Sequence, residues 1–255
     1  MNTPHTAVPT ASGSFADLGL SPKILERLAA RNLVTPSPIQ RAAIPPALEG
    51  NDILGIAQTG TGKTLAFALP MLQRLARGGG QGLVIVPTRE LAIQVEETLL
   101  NVGRNAGLTT VTLMGGASQS MQVKKLKQTP HVIVATPGRL IDLMKQRLVD
   151  LRNIKIVVLD EADRMFDIGF APAIIQILKA LPTQRQTMLF SATMPAAIVK
   201  MTAQYLKAPV RVEVAPAGTT ASTVAHHQVN AGTGQKMNAL GQVLKSEPGT
   251  IIVFT

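Results

Sequence analysis

Ile53-Leu54-Gly55-Ile56-Ala57-Gln58-Thr59-Gly60-Thr61-Gly62-Lys63-Thr64-Leu65-Ala66-Phe67-Ala68-Leu69 is the stretch on which the reading of this chain turns. An apolar run, a turn holding two glycines and a second apolar run spell a buried strand, a loop and a helix start. Gly60 and Gly62 lack a Cβ, so the backbone can curl there and aim successive N–H groups at one anion. A helix opening near Gly62 adds the positive end of its dipole. In that setting Lys63 reaches the β- and γ-phosphates of a nucleotide, and the Thr64 hydroxyl can ligate Mg²⁺. The plainer reading is a Gly/Thr turn that happens to carry a lysine; the Gly62-Lys63-Thr64 ending directly after a strand speaks against it. Ala57 stands where the usual pattern has glycine, so the last three residues carry the signal.

The totals narrow the field. With 45% hydrophobic and 16% charged residues, the 255-residue chain has ample material for a core. It contains no cysteine, which excludes disulfides, thiolate nucleophiles and cysteine zinc sites. No uncharged apolar run reaches the ~18 residues of a membrane helix. Residues 1–14 lack the charged start and apolar stretch of a signal peptide, and the setting expected is cytosolic. The net charge of +10 points to a polyanionic partner, of which nucleic acid is the commonest, although a basic surface can serve solubility alone.

Residues 1–14 read as a flexible tail, and from Phe15 to residue 212 strand, turn and helix alternate. Strands are expected at Leu83–Val86, Thr110–Leu113, Val132–Val134, Ile156–Leu159, Thr187–Phe190 and Val210–Val212. All are short and most are continuously apolar rather than alternating, as in a parallel sheet with helices on both faces. Ser37, Pro38 and Gln40 fit the N-cap, N1 and N3 positions of a capping box. Residues 213–222 form a linker by composition. Residues 223–255 offer a strand near Val224–Val229, a helix with Met237, Leu240, Val243 and Leu244 on one face, and an apolar strand Ile251–Phe254. Too few to stand alone, they read as the opening of a second α/β domain whose remainder lies beyond Thr255. His226-His227 has no partner set for a metal and reads as linker surface.

In a parallel α/β sheet ligands gather beyond the carboxyl ends of the strands. Asp160-Glu161-Ala162-Asp163 begins at such an end, as do the glycine loop and Ser191-Ala192-Thr193. One carboxylate can hold Mg²⁺ through water while its neighbour orients and deprotonates an attacking water. An acidic first helix turn that merely favours the dipole is the alternative for that segment alone. A plain helix N-cap is the alternative for Ser191-Ala192-Thr193.

Taken together these segments resemble the DEAD-box RNA helicases. Further blocks of that family stand in order: Thr35-Pro36-Ser37-Pro38-Ile39-Gln40, Pro87-Thr88-Arg89-Glu90-Leu91-Ala92, Gly115-Gly116, Thr136-Pro137-Gly138-Arg139 and Arg164-Met165-Phe166-Asp167-Ile168-Gly169-Phe170. The wording of residues 136–144 and 211–220 is similar to the bacterial RhlE-like branch. The resemblance spans residues 15–212 and, more weakly, 223–255. It implies a RecA-like first lobe, with the start of a second, that binds ATP with Mg²⁺ and one side of an RNA strand, acting as a monomer whose other lobe completes the site.

By the same resemblance Gln40 reads the adenine edge and Phe15 stacks on the ring, while residues 57–64 hold the phosphates. A hydrophobic staple is the competing role for Phe15. Leu33 stands where the family usually has an aromatic. Lys63, Asp160 and Glu161 become the catalytic set, with Thr64 and Asp160 at the metal. Asp163, Ser191 and Thr193 couple nucleotide state to RNA binding. Thr88, Arg89, Gly115, Gly116, Thr136, Gly138 and Arg139 line the strand-binding face, through backbone contacts that carry little sequence information. Lys124, Lys125 and Lys127 read as a solvated helix face or as an extension of that patch. A related DNA helicase or other P-loop ATPase, and a non-enzymatic binding module, are the competing functions. Alone, the chain is expected to bind ATP weakly and turn it over poorly.

Overall fold

The computed structural model describes residues 13–103, 107–214, 227–232, 234–246 and 249–253. The chain divides into two compact units, residues 1–217 and 218–255.

The first unit is built on seven parallel strands: β1 Ile53–Ile56, β2 Gln81–Ile85, β3 Thr110–Leu113, β4 Val132–Ala135, β5 Ile154–Leu159, β6 Gln186–Ser191 and β7 Val210–Glu213. Their order in the sheet is β3-β4-β2-β5-β6-β1-β7. The helices are α1 Pro22–Ala29, α2 Pro38–Glu49, α3 Lys63–Gly78, α4 Arg89–Gly103, α5 Gln119–Leu126, α6 Pro137–Lys145, α7 Ala162–Asp167, α8 Ala171–Ala180 and α9 Ala196–Tyr205. Successive residues of each strand face opposite sides, and both sides are covered. Leu83 and Ile85 join a core with Leu140, Ile174 and Ile198 from α6, α8 and α9. Val84 and Val86 join another with Ile39, Phe67 and Val95 from α2, α3 and α4. Two buried faces are the reason the strands read as unbroken apolar runs.

Phe15 opens a short 3₁₀ turn, Phe15–Leu18, capped by Ser14 and closed by left-handed Gly19. It belongs to a third cluster with Leu18, Leu20, Ile24, Leu28, Ile44, Leu69 and Val102, which seats α1 against α2, α3 and α4.

At the amino ends of the strands a buried carboxylate does the fastening. Asp52 Oδ1 accepts from the Thr187 N–H and Oδ2 from the Lys207 N–H, each at 2.7 Å, tying the starts of β1, β6 and the segment before β7 together. Burial pushes its carboxyl up, only partly offset by those two bonds and by the Arg185 charge.

In the second unit α10, Lys236–Ser246, presents the expected apolar residues, yet none of them is buried. The expected strands differ. Residues 227–229 and 251–253 are irregular, and no strand among the described residues pairs with them. A strand exists only through its ladder to a neighbour, and an apolar run without one stays irregular. Residues 224–226, Phe254, and most of the expected tail and linker lie outside the described residues.

Candidate nucleotide and nucleic-acid site

β1, β6 and β5 are consecutive in the sheet, so the turns after them share one edge. The Ala57 N–H donates to the Ser191 carbonyl at 3.0 Å, and the Asp160 N–H to the Ile85 carbonyl at 3.0 Å, which extends the sheet into the turns themselves.

The glycine loop leaves β1 at buried Ala57 and exposes Gln58, Thr59 and Gly60. Gly60 and Gly62 sit at φ 86° and 91°, a conformation that side chains resist. A Cβ on Gly62 would lie 2.4 Å from Gln40 Nε2. That space is filled by a bond: Gln40 Nε2 donates to the Gly62 carbonyl at 3.0 Å, while its Oε1 accepts from the Ser37 N–H at 2.9 Å. Gln40 thereby closes the capping box of α2 from its N3 position. Gln40 is 5% exposed, and each end of its amide keeps one unused hydrogen-bonding position. Lys63 Nζ folds back to the Ala57 carbonyl at 3.0 Å. Among the described residues the N–H groups of Gly60, Gly62, Lys63 and Thr64 find no acceptor, as expected at a helix start open to an anion.

Asp160, at the end of β5, is 2% exposed. Burial pushes its carboxyl up to about 6; nearby Lys63 pulls it down and the Glu161 charge raises it again. Glu161 adopts the left-handed conformation, φ 51° and ψ 51°, which turns the chain sharply into α7. Its carboxylate accepts from Thr59 Oγ1 at 3.4 Å and pairs with the Arg164 guanidinium at 3.3 Å. Asp163 Oδ2 accepts from the N–H groups of Ala192 and Thr193, at 3.1 and 2.9 Å, and from Thr193 Oγ1 at 3.0 Å. The Asp163 N–H in turn donates to Ser191 Oγ at 3.1 Å, and that hydroxyl donates to the Thr193 carbonyl at 2.8 Å. One carboxylate therefore spans α7 and the turn after β6.

The remaining candidates gather over β2 and β4. Thr88, Arg89, Gly115, Thr136, Gly138 and Arg139 line one open groove of about 510 Å³. Gly116 lies against Arg89, and a Cβ there would strike the guanidinium at 2.3 Å. Thr88 Oγ1 accepts from the Leu91 N–H at 3.3 Å and starts α4. Thr136 stands before Pro137 at the start of α6. Two helix starts and two arginines thus face the same space.

Ile168, Phe170 and Asp142 line that groove too. The residues alone pointed to none of them as lining, since an apolar pair after a short helix reads as core; Ile168 is in fact 51% exposed. Phe15 is 3% exposed and its ring is packed in the third cluster. To stack on a base, it would need a face that this cluster now covers. Among the described residues no group of three or more His, Cys, Asp or Glu is arranged to hold a metal by protein ligands alone. No helix among them is long and apolar enough to cross a membrane.

The family model described as DEAD/DEAH box helicase matches residues 37–202. The chain is similar to the ATP-dependent rRNA helicase RRP3 of Debaryomyces hansenii, 45% identical over 246 residues, which is 95% of this chain and 52% of that protein. It is 42% identical over 243 residues to the DEAD-box ATP-dependent RNA helicase CshA of Streptococcus pneumoniae, 94% of this chain and 46% of that protein. The chain spans about half the length of these curated relatives. The matched segment runs from the start of α2 into α9 and takes in the glycine loop, the acidic turn and the groove: the chain belongs to the DEAD/DEAH box helicase family.

Proposed function

We propose that this chain is the ATP- and RNA-binding first lobe of an ATP-dependent RNA helicase, with residues 223–255 opening a second RecA-like lobe. The observation that carries this is the meeting of the glycine loop, Asp160-Glu161 and Ser191-Thr193 at one sheet edge, with Asp163 bridging two of the three turns. The unpartnered N–H groups of residues 60 and 62–64 suit the phosphates of ATP. Lys63 would leave the Ala57 carbonyl for them, and the two unused positions of the Gln40 amide suit the N6 and N7 edge of adenine. Phe15 would stack on that base only if its cluster parted.

Bound Mg²⁺ would neutralise phosphate charge, and Thr64 and Asp160 are the residues to hold it, Asp160 through water. A donor set of one hydroxyl and one carboxylate fits a cation that keeps most of its waters. Glu161 would orient the attacking water once its carboxylate is released from Thr59. Asp163, Ser191 and Thr193 would pass the state of that edge to the RNA side. Arg89 and Arg139 would grip phosphates in the groove over Thr88, Gly115, Gly116, Thr136 and Gly138. The protein would act as a cytosolic monomer.

The test is Glu161→Gln in a protein carrying both lobes. RNA-stimulated hydrolysis should fall by roughly a hundredfold or more while nucleotide binding is retained. Unchanged hydrolysis would remove Glu161 from catalysis and favour a binding module. Equal stimulation by RNA and by DNA of the same length would argue for a helicase without RNA preference.

A further inference from the structure

Helix α5 begins four residues after Gly115, which lines the groove. Arg139, which lines the groove, donates to the Ala117 carbonyl at 3.4 Å and to Gln122 Oε1 at 3.1 Å, so the first turns of α5 are fixed to the groove wall. Gln119 Nε2 donates to Gln146 Oε1 at 2.8 Å, just past the end of α6. Between these elements lies a second open depression of about 420 Å³, lined by Gln119, Ser120, Val123, Lys124, Lys127 and Leu148. Ser120, Lys124 and Lys127 follow at spacings of four and three, which puts them on one helix face.

Exposed lysines are common and need no purpose; three observations set these apart. Neither ammonium has a carboxylate within 4 Å among the described residues. The depression contains no acidic side chain, and Val123 and Leu148 give it an apolar floor. The helix that carries both lysines is itself tied to a groove-lining arginine, through the Arg139 bonds to Ala117 and Gln122. Lys125 is exposed as well but does not line the depression, being turned by about 100° around the helix.

We propose that α5 is a second RNA track, on which a strand that fills the groove continues with its phosphates against Lys124 and Lys127. The eight residues of α5 add about 12 Å to the path. A ribose or base from the same strand covers Val123 and Leu148. This rests on the RNA-binding reading of the groove and extends it to a contact that short strands do not reach.

The experiment uses the chain itself and two fluorescent ligands, a hexauridylate and an oligouridylate of about 20 nucleotides, titrated across a salt series. With Lys124→Gln/Lys127→Gln, the slope of log affinity against log salt for the long strand should fall by about 1.4, since each single-strand phosphate contact contributes roughly 0.7. The hexauridylate should bind as before, and Lys125→Gln should change neither ligand. Lysine acetylation read by mass spectrometry should show Lys124 and Lys127 protected by the long strand and Lys125 unprotected. An unchanged slope for the long strand, an equal loss for both lengths, an equal loss with Lys125→Gln, or no protection of Lys124 and Lys127 overturns the track. Failure of the unaltered chain to bind either strand would instead overturn the RNA reading beneath it.

Discussion

Asp160 is a buried carboxyl that must be ionised to meet a cation, and those two demands set how it titrates. Its folded value of about 6 lies above the ordinary 3.8. The folded protein therefore holds that proton more tightly than the unfolded chain does. Without metal, the cost of the buried charge is fully present above pH 6 and is relieved as pH falls from 6 towards 4. Asp160→Asn should accordingly raise the stability of the nucleotide-free chain at pH 8, on the order of 3 kcal/mol, with the gain shrinking towards pH 5. Thermal unfolding of both proteins across that range checks it; a gain that stays constant with pH would contradict it. Asp163 behaves in the opposite sense. Burial is the largest influence on it and pushes it up, but the hydroxyl and N–H of Thr193 and the N–H of Arg164 together hold it below the ordinary value. Its stabilisation is present above that ordinary value and is lost as pH falls through the lower, folded one. Both aspartates could be named from the sequence. That one is pushed up and the other held down could not, because the hydroxyl and N–H that do most to lower Asp163 come from Thr193, thirty residues later.

Elements were the most legible level. The strands between Leu83 and Val212 fall where the apolar runs stand, because a sheet covered on both faces leaves little room for polar residues. What stayed hidden was each contact made by a residue with an ordinary local explanation. Phe15 after a polar tail looks like a lone aromatic until α2, α3 and α4 close around it. Asp52 looks like a turn residue before a strand, since its partners Thr187 and Lys207 come more than a hundred positions later. Gly55 is a similar case. It lies opposite Phe190 in the β1–β6 register, and a Cβ would meet that ring at 2.5 Å. Phe190 is itself fully buried against Phe67, ring centroids 5.6 Å apart. Gly55→Ala should therefore cost about 1–3 kcal/mol through overpacking. In urea the midpoint should drop with an unchanged slope; a midpoint equal to that of the unaltered chain would show that the aromatic pair can shift.

On the scale of the molecule, the first unit carries all three cores, and α10 in the second has no fully buried residue. Removing residues 218–255 should move the thermal midpoint of the first unit by less than about 2 °C. A larger loss would mean that the second unit supports the sheet. The order of the strands has a consequence for how the protein is made. β1, which carries the glycine loop, is flanked in the sheet by β6 and β7, the last two strands of the first unit in chain order. On the ribosome its edges stay bare until the polypeptide has grown past Glu213, and only then can the loop acquire its fixed shape. A nascent chain arrested short of β6 should ignore nucleotide, and one that has cleared the exit tunnel with β7 should capture it.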